Sequence, residues 1–127
     1  MNVPYNLQYT PDHEWVKLEG DGTAVVGITD FAQSQLGDIV FIELPQAGSK
    51  LQAGDVAANV ESVKAVSEIF APVAGEVSEV NAELEQSPEL LNSEPYEQWI
   101  FRLHHVRVEG LLSADEYVAL LEQGGHQ

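Results

Sequence analysis

The stretch EWVKLEGDGTAVVGI, residues 14–28, limits most narrowly what this chain can fold into. Two apolar-rich runs flank Gly20-Asp21-Gly22, and Asp and Gly tolerate the left-handed backbone of a tight hairpin turn. Short strand patterns then recur along the chain. Asp38-Ile39-Val40-Phe41-Ile42-Glu43-Leu44 reads as a mostly buried strand that ends at Pro45. Val56, Ala58 and Val60 alternate in a further strand, Val66 to Phe70 forms another, and Glu76 to Val80 begins a third. In QWIFRLHHVRV the same period places Trp99, Phe101 and Leu103 on one face. Runs this short, broken by Gly and Pro, predict a mostly β fold of antiparallel strands.

Helical signals are few and brief. Thr29-Asp30 offers an N-cap to FAQSQL, which stops at Gly37, and the polar excursion SPELLNSEPY has room for one helical turn. Ser113 and Glu116 form a capping box for a C-terminal helix at about 113–123 that ends at Gly124-Gly125. Leu112, Tyr117, Leu120 and Leu121 would pack it onto the sheet. At 127 residues a single domain is expected over residues 1–127. Gly37-Asp38-Ile39 and Gly75-Glu76-Val77 echo each other, so the residues between them would lie at the junction of a roughly two-fold sandwich.

Charge narrows the function classes. With 21 acidic against 5 basic residues and a net charge of -16, the chain repels phosphate backbones and anionic lipid, which disfavours nucleic acid and membrane as partners. That field favours encounter with basic protein surfaces, or merely keeps the chain soluble. Zero cysteines exclude a disulfide framework, a thiolate metal site and a cysteine nucleophile. No apolar run approaches a membrane span, and MNVPYNLQYT lacks a basic n-region, so a cytoplasmic protein is the simplest reading.

Catalysis by the chain's own side chains finds little support. His104 and His105 are adjacent in a strand pattern, so their side chains are expected on opposite faces, where they cannot chelate one metal. Asp12-His13-Glu14 has ligand-type residues without the spacing to converge them, although it could wall a polar cleft. No phosphate loop, nucleophile elbow or zincin motif is present, so neither catalytic nor metal-ligating residues are assigned.

Lys64 is different. It lies between two strand patterns in VESVKAVSE, and a solvated lysine there could simply discourage edge pairing. Yet the segment lacks the Gly, Asn or Asp of a tight turn, carries Val63 and Val66 where solvation alone would not need them, and flanks the lysine with small Ser62 and Ala65. A tip shaped for another protein to grip would read the same way.

In YTPDHEWV, VGITDFAQSQLGDIVFIELPQAG, VESVKAVSEIFAPVAGEVSEVN and LLNSEPYEQWIF, the chain resembles the H-protein family of the glycine cleavage system. The resemblance implies a hybrid barrel-sandwich of the lipoyl-domain kind, with short helices and lipoic acid in amide linkage to Lys64 at a hairpin tip. Glu61, Ser62, Val63 and Ala65 would belong to the segment read by a lipoate ligase or lipoyltransferase, with Ala65 and Val66 shaping the turn. A biotin carrier typically sets its lysine between methionines, which Val63-Lys64-Ala65 does not.

The implied role is a non-catalytic carrier that docks three enzymes. A pyridoxal-phosphate glycine decarboxylase loads the aminomethyl group of glycine, a folate-dependent aminomethyltransferase removes it, and dihydrolipoyl dehydrogenase reoxidises the dithiol. The family shelters the loaded arm in a surface cleft, for which Asp12, Glu14 and Glu68 are the matching acids. Phe31 stands where many members have histidine or tyrosine, and Tyr96-Glu97-Gln98-Trp99 is one residue shorter than the common form. The same fold could serve instead as a lipoate relay to other lipoyl domains, or as an acidic binding module without lipoate.

Overall fold

The computed structural model describes residues 3–124. Strands and helices follow in the order β1 (Gln8–Tyr9), β2 (Glu14–Glu19), β3 (Thr23–Ile28), α1 (Asp30–Leu36), β4 (Ile39–Glu43), β5 (Lys50–Leu51), β6 (Val56–Ser62), β7 (Val66–Phe70), β8 (Ala74–Val80), α2 (Glu83–Gln86), α3 (Leu90–Ser93), β9 (Phe101–Arg107) and α4 (Ala114–Gly124). A six-stranded sheet runs β1-β2-β3-β9-β8-β5, and a three-stranded sheet runs β4-β6-β7. Neighbouring strands are antiparallel in both sheets.

Period-two alternation builds two cores from one strand. On β3, Ala24, Val26 and Ile28 face the inner cluster, where they meet Phe101 and Leu103 of β9 and Ile42, Val60 and Ile69 of the small sheet. Val25 points the other way, into a second cluster with Trp15, Tyr9 and Tyr117 of α4. This is why TAVVGI reads as an almost continuous apolar run: it is covered on both faces.

The second cluster depends on Gly27, which pairs with Trp15 across the β2–β3 ladder. A side chain at Gly27 would overlap the Trp15 indole, which is buried and donates its N–H to the Pro95 carbonyl at 2.8 Å. Gly27→Ala is therefore expected to lose about 2–3 kcal/mol through overpacking, measured as a lower denaturant midpoint at unchanged slope. An unchanged midpoint would show that the indole can move aside.

The β2–β3 hairpin, its turn at Gly22 (φ 84), the capped α1 and the α4 capping box form where the sequence places them. The α4 packing residues are also as expected, whereas the cap expected at Gly125 lies outside the described residues. Four local expectations change. β4 is mostly exposed, because it is an edge strand covered on one side only, with Val40 and Phe41 in solvent. A register shift between Val56 and Ala58 breaks the alternation of β6, leaving Val56 exposed and both Ala57 and Ala58 buried. Trp99 precedes β9 and packs on the second cluster, apart from the inner-facing Phe101 and Leu103. The one helical turn expected in SPELLNSEPY forms as α3, and the short α2, which the sequence reading did not anticipate, precedes it. His104 and His105 do not point to opposite faces, since φ 55 at His105 turns its ring to 4.4 Å from that of His104. The echoed triplets also differ in role: Gly37 caps α1 at φ 76, whereas Gly75 sits inside β8 and pairs with Leu51.

Candidate functional site

The β6–β7 hairpin ends in Val63-Lys64-Ala65, and Ser62 makes the turn that glycine or asparagine would otherwise make. Its Oγ accepts from the Lys64 and Ala65 amides at 3.3 and 3.0 Å, while its own amide donates to the Ala65 carbonyl at 2.8 Å. Val63 and Val66 are each 70% exposed on either side of the lysine. Apolar area of that kind on an otherwise charged tip is available to a partner.

The tip is moored to the fold. The Val63 amide donates to the Asp38 carbonyl at 3.0 Å, in the turn between α1 and β4. The Lys64 stem crosses Gly37, where a Cβ would meet its Cε at 3.2 Å, and this brings its ammonium near the C-terminal end of α1, whose last turn has no basic residue.

Asn92 of α3 holds that turn from below. Its Oδ1 accepts from the Ile39 amide at 2.8 Å, and its Nδ2 donates to the Gly37 carbonyl at 2.7 Å and the Gln33 Oε1 at 3.0 Å. The sequence reading missed this residue, which is separated from its partners by more than fifty positions. Asn92→Ala is expected to destabilise the chain by about 2 kcal/mol and to speed hydrogen exchange at Val63, whose amide bonds to the moored turn. Unchanged exchange there would separate the hairpin from the Asn92 staple.

The three acids expected around an arm cleft occupy different settings. Asp12 and Glu68 are exposed, whereas Glu14 is 2% exposed. The Glu14 Oε1 accepts from the Thr10 hydroxyl at 2.7 Å and its Oε2 from the Phe70 amide at 3.1 Å, so it straps β2 to the lysine-bearing hairpin. Burial pushes its carboxyl up to about 7, more than the Thr10 and Phe70 hydrogen bonds pull it down. His13, at φ 70, turns instead to the Tyr117 hydroxyl at 2.8 Å, which also bonds Thr29 Oγ1 at 2.7 Å. Burial lowers the His13 pKa and raises that of Tyr117. The three residues of Asp12-His13-Glu14 thus diverge, and no group of metal-binding residues occurs among the described ones.

Phe31 packs its ring 4.6 Å from His13 and lines a groove with Val118 and Leu121 of α4. The Tyr96-Glu97-Gln98-Trp99 turn closes on one acceptor: the amides of Glu97 and Gln98 both donate to the Glu94 carbonyl, at 3.1 and 2.9 Å.

Residues 7–124 match the family model described as Glycine cleavage H-protein. The chain belongs to the glycine cleavage H-protein family. It is similar to the probable glycine cleavage system H protein of Thermococcus gammatolerans, 52% identical over 124 residues that cover 94% of this chain and 92% of that protein. The glycine cleavage system H protein of Nitrosomonas eutropha is 50% identical over 129 residues, covering 99% of this chain and 100% of the relative. Among solved structures, the H protein of Mycobacterium marinum superposes with a TM-score of 0.88 at 38% identity, covering 97% of this chain and 99% of that one. An H-protein-family chain is a carrier component and not a catalyst by itself, in keeping with a site built around one exposed amine. No helix among the described residues is long and apolar enough to cross a membrane.

Proposed function

We propose that this chain is a cytoplasmic lipoyl carrier of glycine cleavage, residues 1–127 acting as one carrier domain with lipoic acid in amide linkage to Lys64. The observation that carries the reading is the Lys64 tip: an exposed primary amine on a moored, Ser62-built turn. The residues present fit the group. Among the described residues the Lys64 ammonium makes no hydrogen bond or ion pair, and Gly37 leaves room for its stem. When bound, the dithiolane supplies the sulfur redox couple that a chain without cysteine lacks.

What the chain itself contributes is position and recognition. Glu61, Ser62, Val63 and Ala65 form the segment that a lipoate ligase or lipoyltransferase reads, Ser62 by holding the turn and Val63 by its exposed apolar surface. The carrier then receives the aminomethyl group of glycine from a pyridoxal-phosphate decarboxylase, yields it to a folate-dependent aminomethyltransferase, and presents the reduced dithiol to dihydrolipoyl dehydrogenase. A net charge of -16 suits brief, charge-steered docking to each of them. Asp12, Glu14 and Glu68 are the acids we assign to sheltering the protonated amine of the loaded arm.

Reconstitution tests this reading. The lipoylated chain, incubated with glycine and the decarboxylase, is expected to support carbon dioxide release and to gain an aminomethyl group by intact mass. A lipoylated chain that accepts none would overturn the glycine-cleavage role and leave lipoate relay in its place.

A further inference from the structure

Positive charge is scarce in this chain, with only five Lys and Arg against 21 Asp and Glu, so the place where it gathers is informative. At the outer edge of the six-stranded sheet, β5 pairs with β8 through Lys50 and Glu76, and β8 pairs with β9 through Ala74 and Arg107. A cavity of about 450 Å³ there is lined by Gln52, Ala74, His105 and Arg107, and a second of about 340 Å³ shares Gln52, Ala74 and His105 and adds Lys50. Together they form one open recess on the sheet edge, along which Lys50, Gln52, His105 and Arg107 are all exposed.

Its construction departs from a plain sheet edge. His105 takes φ 55, a left-handed conformation that residues other than glycine rarely adopt, and so lines this recess. The floor is small, being Ala74 and Gly75, and a Cβ on Gly75 would press on the His104 carbonyl at 3.1 Å. Lys50 and Arg107 make no side-chain hydrogen bond or ion pair among the described residues. Arg102 on the same strand shows the contrast, since it meets both Glu19 and Glu79 at 3.4 Å and lies over Trp99. Two acids also line the recess: Glu76, which faces His104 at 3.6 Å, and Glu109, which lines the larger part together with Arg107.

We propose that this recess is a binding site for a small oxyanion, phosphate or carboxylate, held by Arg107, Lys50, His105 and Gln52. Arg107 offers a planar fork of N–H donors, Lys50 a point charge, and the His105 ring and Gln52 amide further N–H donors. The site lies beyond the base of the β6–β7 hairpin, where Val56 pairs with Phe70, while Lys64 is at the other end. A strand of seven residues spans about 20 Å, so a ligand here leaves the lysine tip clear. The proposal is independent of lipoylation and of the glycine-cleavage reading.

The test is a titration of the full-length chain, followed by amide and histidine-ring NMR shifts, with inorganic phosphate and separately with acetate. Sodium chloride at matched ionic strength controls for screening. The acidic field of the chain opposes anions, so the expected result is saturable binding of at least one of the two at roughly millimolar affinity, with shifts at Gln52, Ala74, His105 and Arg107 but not Lys64. Arg107→Gln and Lys50→Gln, both at exposed positions, should each weaken it by roughly tenfold. Shifts reproduced by chloride, no saturation below about 50 mM, or an affinity unchanged from the parent in both variants would each overturn the site.

Discussion

Lys64→Arg is expected to abolish lipoylation, and with it all glycine-dependent carbon dioxide release, while leaving the fold intact. Acylation needs a neutral amine as nucleophile, and a guanidinium is never deprotonated under the conditions of the reaction. The substitution keeps the positive charge and the long stem, so a purely electrostatic function of the tip would survive it. Stability should change by less than about 0.5 kcal/mol, because Lys64 is exposed and the turn is held by Ser62 and Asp38 through the backbone. Intact mass after coexpression with a lipoylating enzyme reads the outcome directly. A lipoyl increment that persists in the variant would remove Lys64 from its proposed role, and a variant that fails to fold would show that the lysine is structural.

Glu14→Gln should make the protein more stable at pH 8, by about 2 kcal/mol, and should impair the carrier. The Glu14 carboxyl is raised from 4.5 to about 7 by burial, so the folded state binds its proton more tightly than the unfolded chain does. Its contribution is therefore fully present below pH 4.5 and is lost as pH rises to about 7, a fall of about 3 kcal/mol at most. Other acids in the chain also titrate, so the informative quantity is the stability difference between variant and parent. That difference should be near zero at pH 4.5 and grow to its full value above pH 7; a difference that stays constant with pH would sink the assignment. The amide is uncharged at every pH and can still accept from the Phe70 N–H, which is why the strap to β7 should survive. If Glu14 shelters the amine of the loaded arm, the variant should be lipoylated normally yet lose its aminomethyl group roughly tenfold faster in the free state. Equal decay rates would leave the buried carboxylate as a destabilising feature with no part in the cleft.

Some of the fold was legible because its causes are local. Gly22 permits the left-handed turn of the first hairpin, Thr29 caps α1 with its own side chain, and Ser113 and Glu116 cap each other across one helical turn. The apolar run TAVVGI after that turn marked a strand, whereas its cover on both faces shows only in the packing. Misreadings arose where a neighbouring strand decides. Val40 and Phe41 are β-branched and aromatic, as a buried strand would be, but β4 is at an edge, and edge position is a property of the sheet. The bulges in β6 and β9 likewise follow from pairing, and no local pattern announces a left-handed His105.

For the candidate site the same division holds. The sequence by itself determined the scarcity of positive charge, the absence of any sulfur nucleophile, the one lysine between two strands and its small neighbours, because these are matters of composition and short-range pattern. Only the tertiary structure decided that Ser62 builds the turn, that Asn92 and Asp38 moor it from distant segments, that Gly37 clears a path for the Lys64 stem, and that Glu14 is buried behind the hairpin. The physical reason is that a hydrogen bond or a steric gap between residues far apart in the chain leaves no periodic trace in it. Such contacts exist only after the two sheets have closed on their shared core.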